Sequence, residues 1–521
     1  MRRNEKGIFG VKKDPKNLML FSFQVREGEE WPSSDSGDSD YQPSDDETKK
    51  PTTKTKPSVR KKSNNKRSSK KVKISSSTTT KSSSDVKPTK YEAAVSCSNL
   101  PSEIWLKIFQ DVVRTSGSLP FLCRAARVCT LWRDLCTHQS LWRSVDLSYG
   151  WIKSTDRTLQ WLCDNRLEHT QEISLSGWKN LTSASVKDLM VKCCDLTSIN
   201  LSYCGKVNTD GWMSLANNCS GLSDIDVSFS SIQVPAVKVL VEKCGKNLRQ
   251  LNVGGNNLTG FNSVLTALKK CPNLQLLDVS NVRFSSDFMA FDIEKFQHAC
   301  PKMRVLRLAN SKFRAPEASR RIQNESPGFP DLEELSLAVH TAKVGAGLAI
   351  HDNFYQRILK ASCNLRLLDL RGLSQITTLG LASLPVTDLE SLYLSMTSLA
   401  SRNNNVDVVL HKWRHSLKVV DLSWNTFQDN VLDTAFEVYV GLPTTSKHKL
   451  RWINFAGTAV TLTTVKLLLD NCPDLEYINL SSCRGLPRGM KREYSQGQIS
   501  QLRKEVRIEV QSNNSDSTDS D

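Results

Sequence analysis

From residue 142 onward, apolar and polar positions settle into one recurring pattern: L-x-x-L-x-L, a polar turn, then a longer amphipathic stretch. LTSINLSYCGKV (196–207) carries it, and altered copies begin at 222, 248, 274, 303, 332, 365, 389, 417, 450 and 475, at intervals of 26, 26, 26, 29, 29, 33, 24, 28, 33 and 25 residues. TQEISLSGWKNL at 170 and WRSVDLSYGW at 142 extend the series backwards, to about thirteen units. In each unit the alternation predicts a short strand turning three apolar side chains inward, and stretches such as WMSLANNC and VKVLVEKC predict a helix behind it. One unit cannot bury both faces, so the units stack and share a continuous core, with parallel strands along one surface and helices along the other.

Residues at one repeat position then form columns. Cys194, Cys219, Cys244, Cys271, Cys300, Cys363 and Cys472 fall shortly before the next strand, where a small apolar side chain packs under a helix-to-strand turn. No Cys-x-x-Cys pair points to zinc. Asn200, Asp226, Asn252, Asp278, Asp369, Asp421, Asn454 and Asn479 form a polar column that suits either a basic ligand or, the preferred reading, side chains hydrogen-bonding along a ladder. The column two positions later is small, as at Ser202, Ser228, Gly254, Ser280, Ser395, Ser423 and Ser481. Partner discrimination is therefore expected from exposed aromatics: Tyr203, Phe229, Tyr393, Trp424, Trp452 and Tyr477. The long interval ANSKFRAPEASRRIQNESPGFPD (309–331) predicts an insert overhanging one rim, and 340–363 and 396–416 are similar.

Residues 100–142 follow a different rule. In LPSEIWLKIFQDVV, Ser98 or Asn99 suits a helix cap and Pro101 a first turn, while Leu100, Ile104, Ile108 and Phe109 fall on one face at helical spacing. Leu122, Ala126, Val128, Cys129, Trp132 and Leu135 predict a second short helix, and Leu141-Trp142 closes the unit. So small a unit buries little by itself and should pack on a partner or on the adjoining repeats.

Charge changes the picture only at the front. The net charge is +16, but residues 27–47 hold nine Asp/Glu and no Lys/Arg, and residues 49–90 hold fifteen Lys/Arg and one Asp. Residues 1–90 sum to +10, leaving +6 for everything after them. This front is too polar to offset the entropy of ordering and is expected to be disordered. LMLFSFQV (18–25) stands out as a candidate docking segment, and the Lys/Arg cluster at 60–73 resembles a nuclear localisation signal. Without interleaved aromatics, that cluster is a poor nucleic-acid surface. MRRNEKGIFG lacks a signal-peptide core and no long apolar run occurs, so no membrane role is expected and the fifteen cysteines should stay reduced.

Two resemblances follow. The repeats resemble the cysteine-containing leucine-rich-repeat family, which implies an α/β horseshoe. The Leu-Pro, the Glu two residues on, the apolar pair Ile108-Phe109, Val128-Cys129-x-x-Trp132 and the closing Leu141-Trp142 together resemble an F-box, with a longer connector, RTSGSLPF, than is usual. The F-box implies docking on the Skp1 adaptor, and through it on cullin and RING subunits, by Leu100, Pro101, Ile104, Ile108, Phe109, Val128, Cys129, Trp132, Leu141 and Trp142. The order is then a tail (1–92), an F-box (96–143), leucine-rich repeats (144–490) and a C-terminal helix and tail (491–521). F-box followed by leucine-rich repeats is the pattern of non-catalytic substrate receptors of SCF ubiquitin ligases in the nucleus or cytoplasm, with a protein substrate and no cofactor. A repeat scaffold independent of any ligase is the alternative. Catalysis is not expected: HKWRH (411–415) spaces two histidines like a zinc helix but lacks its Glu, and GGNN (254–257) reads as a repeat turn.

Overall fold

The computed structural model describes residues 100–515 except 219, 284–287, 315, 340–349, 398, 400–405, 429 and 441–447, with side chains described to residue 506. The readings made for the tail, its basic cluster and LMLFSFQV, and for Cys219, lie outside the described residues, as does much of the two later long intervals.

Thirteen three-residue strands, starting at Ser144, Glu172, Ser198, Asp224, Gln250, Leu276, Val305, Glu334, Leu367, Ser391, Val419, Trp452 and Tyr477, form one sheet in sequence order. Every neighbouring pair among them is parallel and in register, so Val145 stacks on Ile173, Ile173 on Ile199, and so on to Ile453 on Ile478. These central side chains are buried against helices such as Asp156–Asn165, Ser183–Lys192, Val234–Cys244 and Leu462–Asn471. The flanking strand residues point to the opposite, open face. Several helices start at a threonine whose hydroxyl accepts a backbone N–H three residues on, as at Thr155, Thr377 and Thr461. The core runs unbroken from Phe109 to Val506.

The two open ends are covered differently. At the front, Trp142 joins the repeat core, Thr170 Oγ1 donates to its carbonyl at 2.9 Å and Gln171 N donates to the Arg143 carbonyl at 2.8 Å. At the back a strand not expected from the sequence, Glu493–Ser495, pairs antiparallel with Tyr477–Asn479. The expected C-terminal helix is Gln498–Ser515, and it buries Ile499, Leu502 and Val506.

The 309–331 insert does not simply overhang. Phe313–Arg314 pairs with Met289–Ala290, and the helix Arg320–Glu325 leads back to Ser326, whose hydroxyl donates to Gln297 Oε1 and to the Arg357 carbonyl. The Arg357 guanidinium, 5% exposed, grips Glu294 with two hydrogen bonds of 2.8 and 2.5 Å and reaches the Pro316 carbonyl. Removing one partner of such a pair strands the other, so Arg357→Ala is expected to cost about 3 kcal/mol, at the low end because Glu294 keeps some water. A urea midpoint measures it. Burial pushes the Glu294 carboxyl up, but the hydrogen bonds and charge of Arg357 outweigh burial and hold its pKa below the usual value. That contribution is complete above the ordinary glutamate pKa and fades as pH falls through the lowered folded value, so the deficit of Arg357→Ala should shrink in acid.

Candidate functional site

The front module is three helices: α1 (Ser102–Ser116), α2 (Phe121–Ala125) and α3 (Thr130–Leu135), followed by a single 3-10 turn at Gln139–Leu141. Pro101 caps α1 from outside rather than sitting in its first turn, with Glu103 at the positive end, and Gly117 at φ 85° ends it. The expected second helix is broken in two, because Cys129 is fully extended between α2 and α3.

One turn of α1 faces inward and the next stripe faces out. Trp105 and Phe109 meet Trp132 with ring centroids at 4.9 and 5.0 Å, and Phe109 also meets Phe121 edge-on at 5.1 Å. Phe109, Leu141 and Trp142, which the family pattern groups with the adaptor contacts, are buried within the chain. Phe109 is the centre of the aromatic core, Leu141 is buried, and Trp142 is buried with its Nε1–H donating to the Cys136 carbonyl at 2.8 Å. Helical spacing alone groups Ile104, Ile108 and Phe109, but Phe109 lies about 100° further round than Ile108 and so belongs with Trp105. Trp105 and Phe121 were missed by sequence reasoning, although their aromatic character inside so short a module was a signal.

With its interior filled, the module leaves Ile104, Ile108 and Val128 at 41%, 40% and 63% exposure, and Leu131, also missed, at 39%. Pro101 and Cys129 are exposed beside them in sequence, Leu100 and Trp132 half-buried. Ile104 and Ile108 stand one turn apart on α1, and Val128, Cys129 and Leu131 form the entry to α3.

Along the repeats the polar column has an internal role. The side-chain oxygen of Asn200, Asp226, Asn252, Asp278, Asp421, Asn454 or Asn479 accepts the backbone N–H two residues later at 2.9–3.1 Å, closing the turn after each strand. Asp369 does so weakly, at 3.4 Å, and holds Arg371 instead. Arg307 breaks the column, pairing with Glu334 at 2.6 Å and Asp278 at 3.6 Å on its two neighbours.

The six candidate aromatics divide into two sets. Tyr203, Phe229 and Trp424 sit just past their strands at φ 61°, 51° and 57°, a conformation costing a non-glycine residue about 1–2 kcal/mol, and are 51%, 43% and 58% exposed. Tyr203 and Phe229 stack at 4.9 Å with planes 2° apart. In the next units the same place is glycine for want of room: a Cβ on Gly255 or Gly457 would lie 2.3 Å from the Phe229 ring or 2.5 Å from the Trp424 ring. Tyr393, Trp452 and Tyr477, by contrast, lie within strands on the open sheet face and are only half-buried rather than exposed. Trp452 and Tyr477 stack at 5.1 Å, and Arg371 lies over Tyr393 at 5.0 Å. Burial and the nearby Glu493, whose carboxylate accepts its hydroxyl, push the Tyr477 pKa up to about 12.

The cysteines pack as expected at Cys244, Cys271, Cys300 and Cys472, where burial pushes the thiols up to about 11–12 and makes them poor nucleophiles. Cys194 and Cys363 are exposed instead: their slots are filled one residue earlier by buried Cys193 and by Ser362, whose hydroxyl donates to the Phe329 carbonyl at 2.7 Å. Among the described residues no three His, Cys, Asp or Glu side chains gather as a metal site, and no helix is long and apolar enough to cross a membrane. His415 lies beyond the helix Val406–Trp413 and pairs with Asp388 at 3.3 Å, and Gly254–Asn257 is a repeat turn whose Asn256 is buried against the Val227 and Val253 carbonyls.

Residues 97–148 match the family model described as F-box-like. The chain is 24% identical over 231 residues to F-box protein SKIP19 of Arabidopsis thaliana, covering 38% of this chain and 74% of that one. It is 22% identical over 279 residues to putative F-box/LRR-repeat protein 23 of the same plant, covering 49% of this chain and about half, 54%, of the relative. Among solved structures it is similar to the yeast Rad7 and Elc1 complex, with 15% identity, a TM-score of 0.45 and coverage of 75% and 90%. It is also similar to an internalin of Listeria monocytogenes, with 16% identity, a TM-score of 0.37 and coverage of 58% and 71%. Residues 97–148 are F-box-like and are followed by a leucine-rich-repeat-type α/β array, and the chain is similar to F-box and F-box/LRR-repeat proteins.

Proposed function

We propose that the protein is the substrate-recognition subunit of an SCF ubiquitin ligase, its F-box held by Skp1 and its repeats holding a protein substrate. The observation that carries this is the apolar surface of Ile104, Ile108, Val128 and Leu131, left outside a module whose aromatic interior is complete without it. Apolar side chains presented this way by a small helical unit mark a protein contact. Cullin and RING subunits are then reached through Skp1, and transfer follows from proximity, with no catalytic group required of this chain. Because the F-box shares one core with the first repeat, a substrate on the array is held at a set position relative to the adaptor. The half-buried Tyr393, Trp452 and Tyr477 and the exposed Tyr203, Phe229 and Trp424 are the side chains we assign to substrate contact. A nuclear and cytoplasmic location fits the basic cluster at 60–73. Within the family, the segments SSCRGLPRGMKREY, GFPDLEELSLA and LRLLDLRGLSQIT resemble F-box/LRR-repeat protein 6.

A repeat scaffold independent of the ligase has one observation in its favour, that the F-box also caps the array. Proximity labelling in cells with the proteasome blocked separates the two. The intact chain is expected to label proteins whose ubiquitination falls when Ile104→Asp/Ile108→Asp replaces it. Labelled neighbours with unchanged ubiquitination support the scaffold instead.

A further inference from the structure

We infer that the rim where the chain leaves the strands of the first seven repeat units is a docking surface for the protein's own acidic segment, residues 27–47. The inference goes beyond the receptor reading and does not rest on it. After each strand the chain runs along this one rim, through residues 151–153, 177–180, 203–206, 229–233, 255–258, 281–283 and 310–314. These stretches carry Lys153, Lys179, Lys206, Arg283, Lys312 and Arg314 and not a single Asp or Glu. Elsewhere on the array some cations are paired with carboxylates, as Arg307 is with Glu334 and Arg371 with Asp369. Among the described residues none of these six cations makes an ion pair: Lys206 Nζ donates to the neutral Asn180, and Arg314 lies over the Phe288 ring.

Two exposed rings, stacked Tyr203 and Phe229, stand in the same strip. Beside them is an open cavity of about 420 Å³ lined by Phe229, Ile232, Gln233, Asn257 and Arg283. A ligand suited to it brings negative charge together with planar or apolar side chains. Residues 27–47, EGEEWPSSDSGDSDYQPSDDE, hold nine acids, no base, and the aromatics Trp31 and Tyr41. The 52 residues between this segment and Leu100 span up to ~170 Å at about 3.3 Å each. Seven strands at ~4.8 Å spacing occupy only about 30 Å, and the tether raises the segment's local concentration. Docked there, the segment covers Tyr203 and Phe229, so a partner using those rings must displace it.

The test is photo-crosslinking of the full chain carrying a photoreactive phenylalanine analogue at Phe229, with light and heavy protein mixed and the products read by mass spectrometry. We expect cross-links to residues 27–47 of the same molecule, lost in Lys206→Glu/Arg283→Glu and lost again when the nine acids become Asn or Gln. The second variant lies wholly outside the repeats and so cannot act by unfolding them. Absence of these cross-links, their persistence in both charge variants, or their formation only between molecules overturns the proposal. So does charge-dependent binding of an oligouridylate probe without tail cross-links, which would make the rim a nucleic-acid surface.

Discussion

A chain ending at Met490 is expected to self-associate and to melt at a lower temperature than the full chain. Tyr494, Ile499, Leu502 and Val506 are all buried against the last unit. At about 1.5–3 kcal/mol each, their removal forfeits up to about 6–12 kcal/mol. Loss of Glu493–Ser495 also bares the edge of the strand Tyr477–Asn479, a template for pairing with another chain. Solenoids depend on such terminal caps because each unit is supported only by its neighbours. Size-exclusion chromatography with light scattering, alongside a thermal melt, reads the outcome; a truncated chain with the association state and melt of the full chain contradicts it. Leu502→Asp in the full chain should reproduce part of the effect without shortening it.

Phe109→Ala is the second large effect, about 4–5 kcal/mol, since it removes a fully buried ring and three edge-on aromatic contacts together. The loss should be local. Hydrogen exchange is expected to accelerate across α1 to α3 and as far as the first strand, where Trp142 ties the module to the array, while the later units keep their protection. Uniform loosening of the whole array, or none, contradicts the packing described. Adaptor binding should fall too, through loss of shape rather than of a contact.

What was legible in the sequence follows from which physics repeats. Thirteen strands were readable because the apolar spacing recurs thirteen times and each copy corrects the reading of the others. The column from Asn200 to Asn479 was visible for the same reason, and the structure settles its use as turn closure. Features occurring once were harder. Helical periodicity identifies stripes on α1 but not which stripe faces inward, so Phe109 was grouped with Ile104 and Ile108, and Leu131 was overlooked. Glu493–Ser495 is too short to leave an alternation. Cys194 and Cys363 were misplaced by one residue, because an adjacent Cys or Ser fills the slot equally well. The division of the six aromatics into rim and strand sets depends on a positive φ at Tyr203, Phe229 and Trp424, which no side-chain pattern discloses.

We propose that the outward stripe of α1 is held for Skp1. The direct measurement is complex formation between the purified full chain and Skp1, for the intact protein and for Ile104→Asp/Ile108→Asp. Both positions are exposed, so the variant should melt like the intact chain. A stable equimolar complex is expected for the intact chain and none for the variant. An intact chain that does not bind Skp1, or a variant that binds it as tightly, would contradict it.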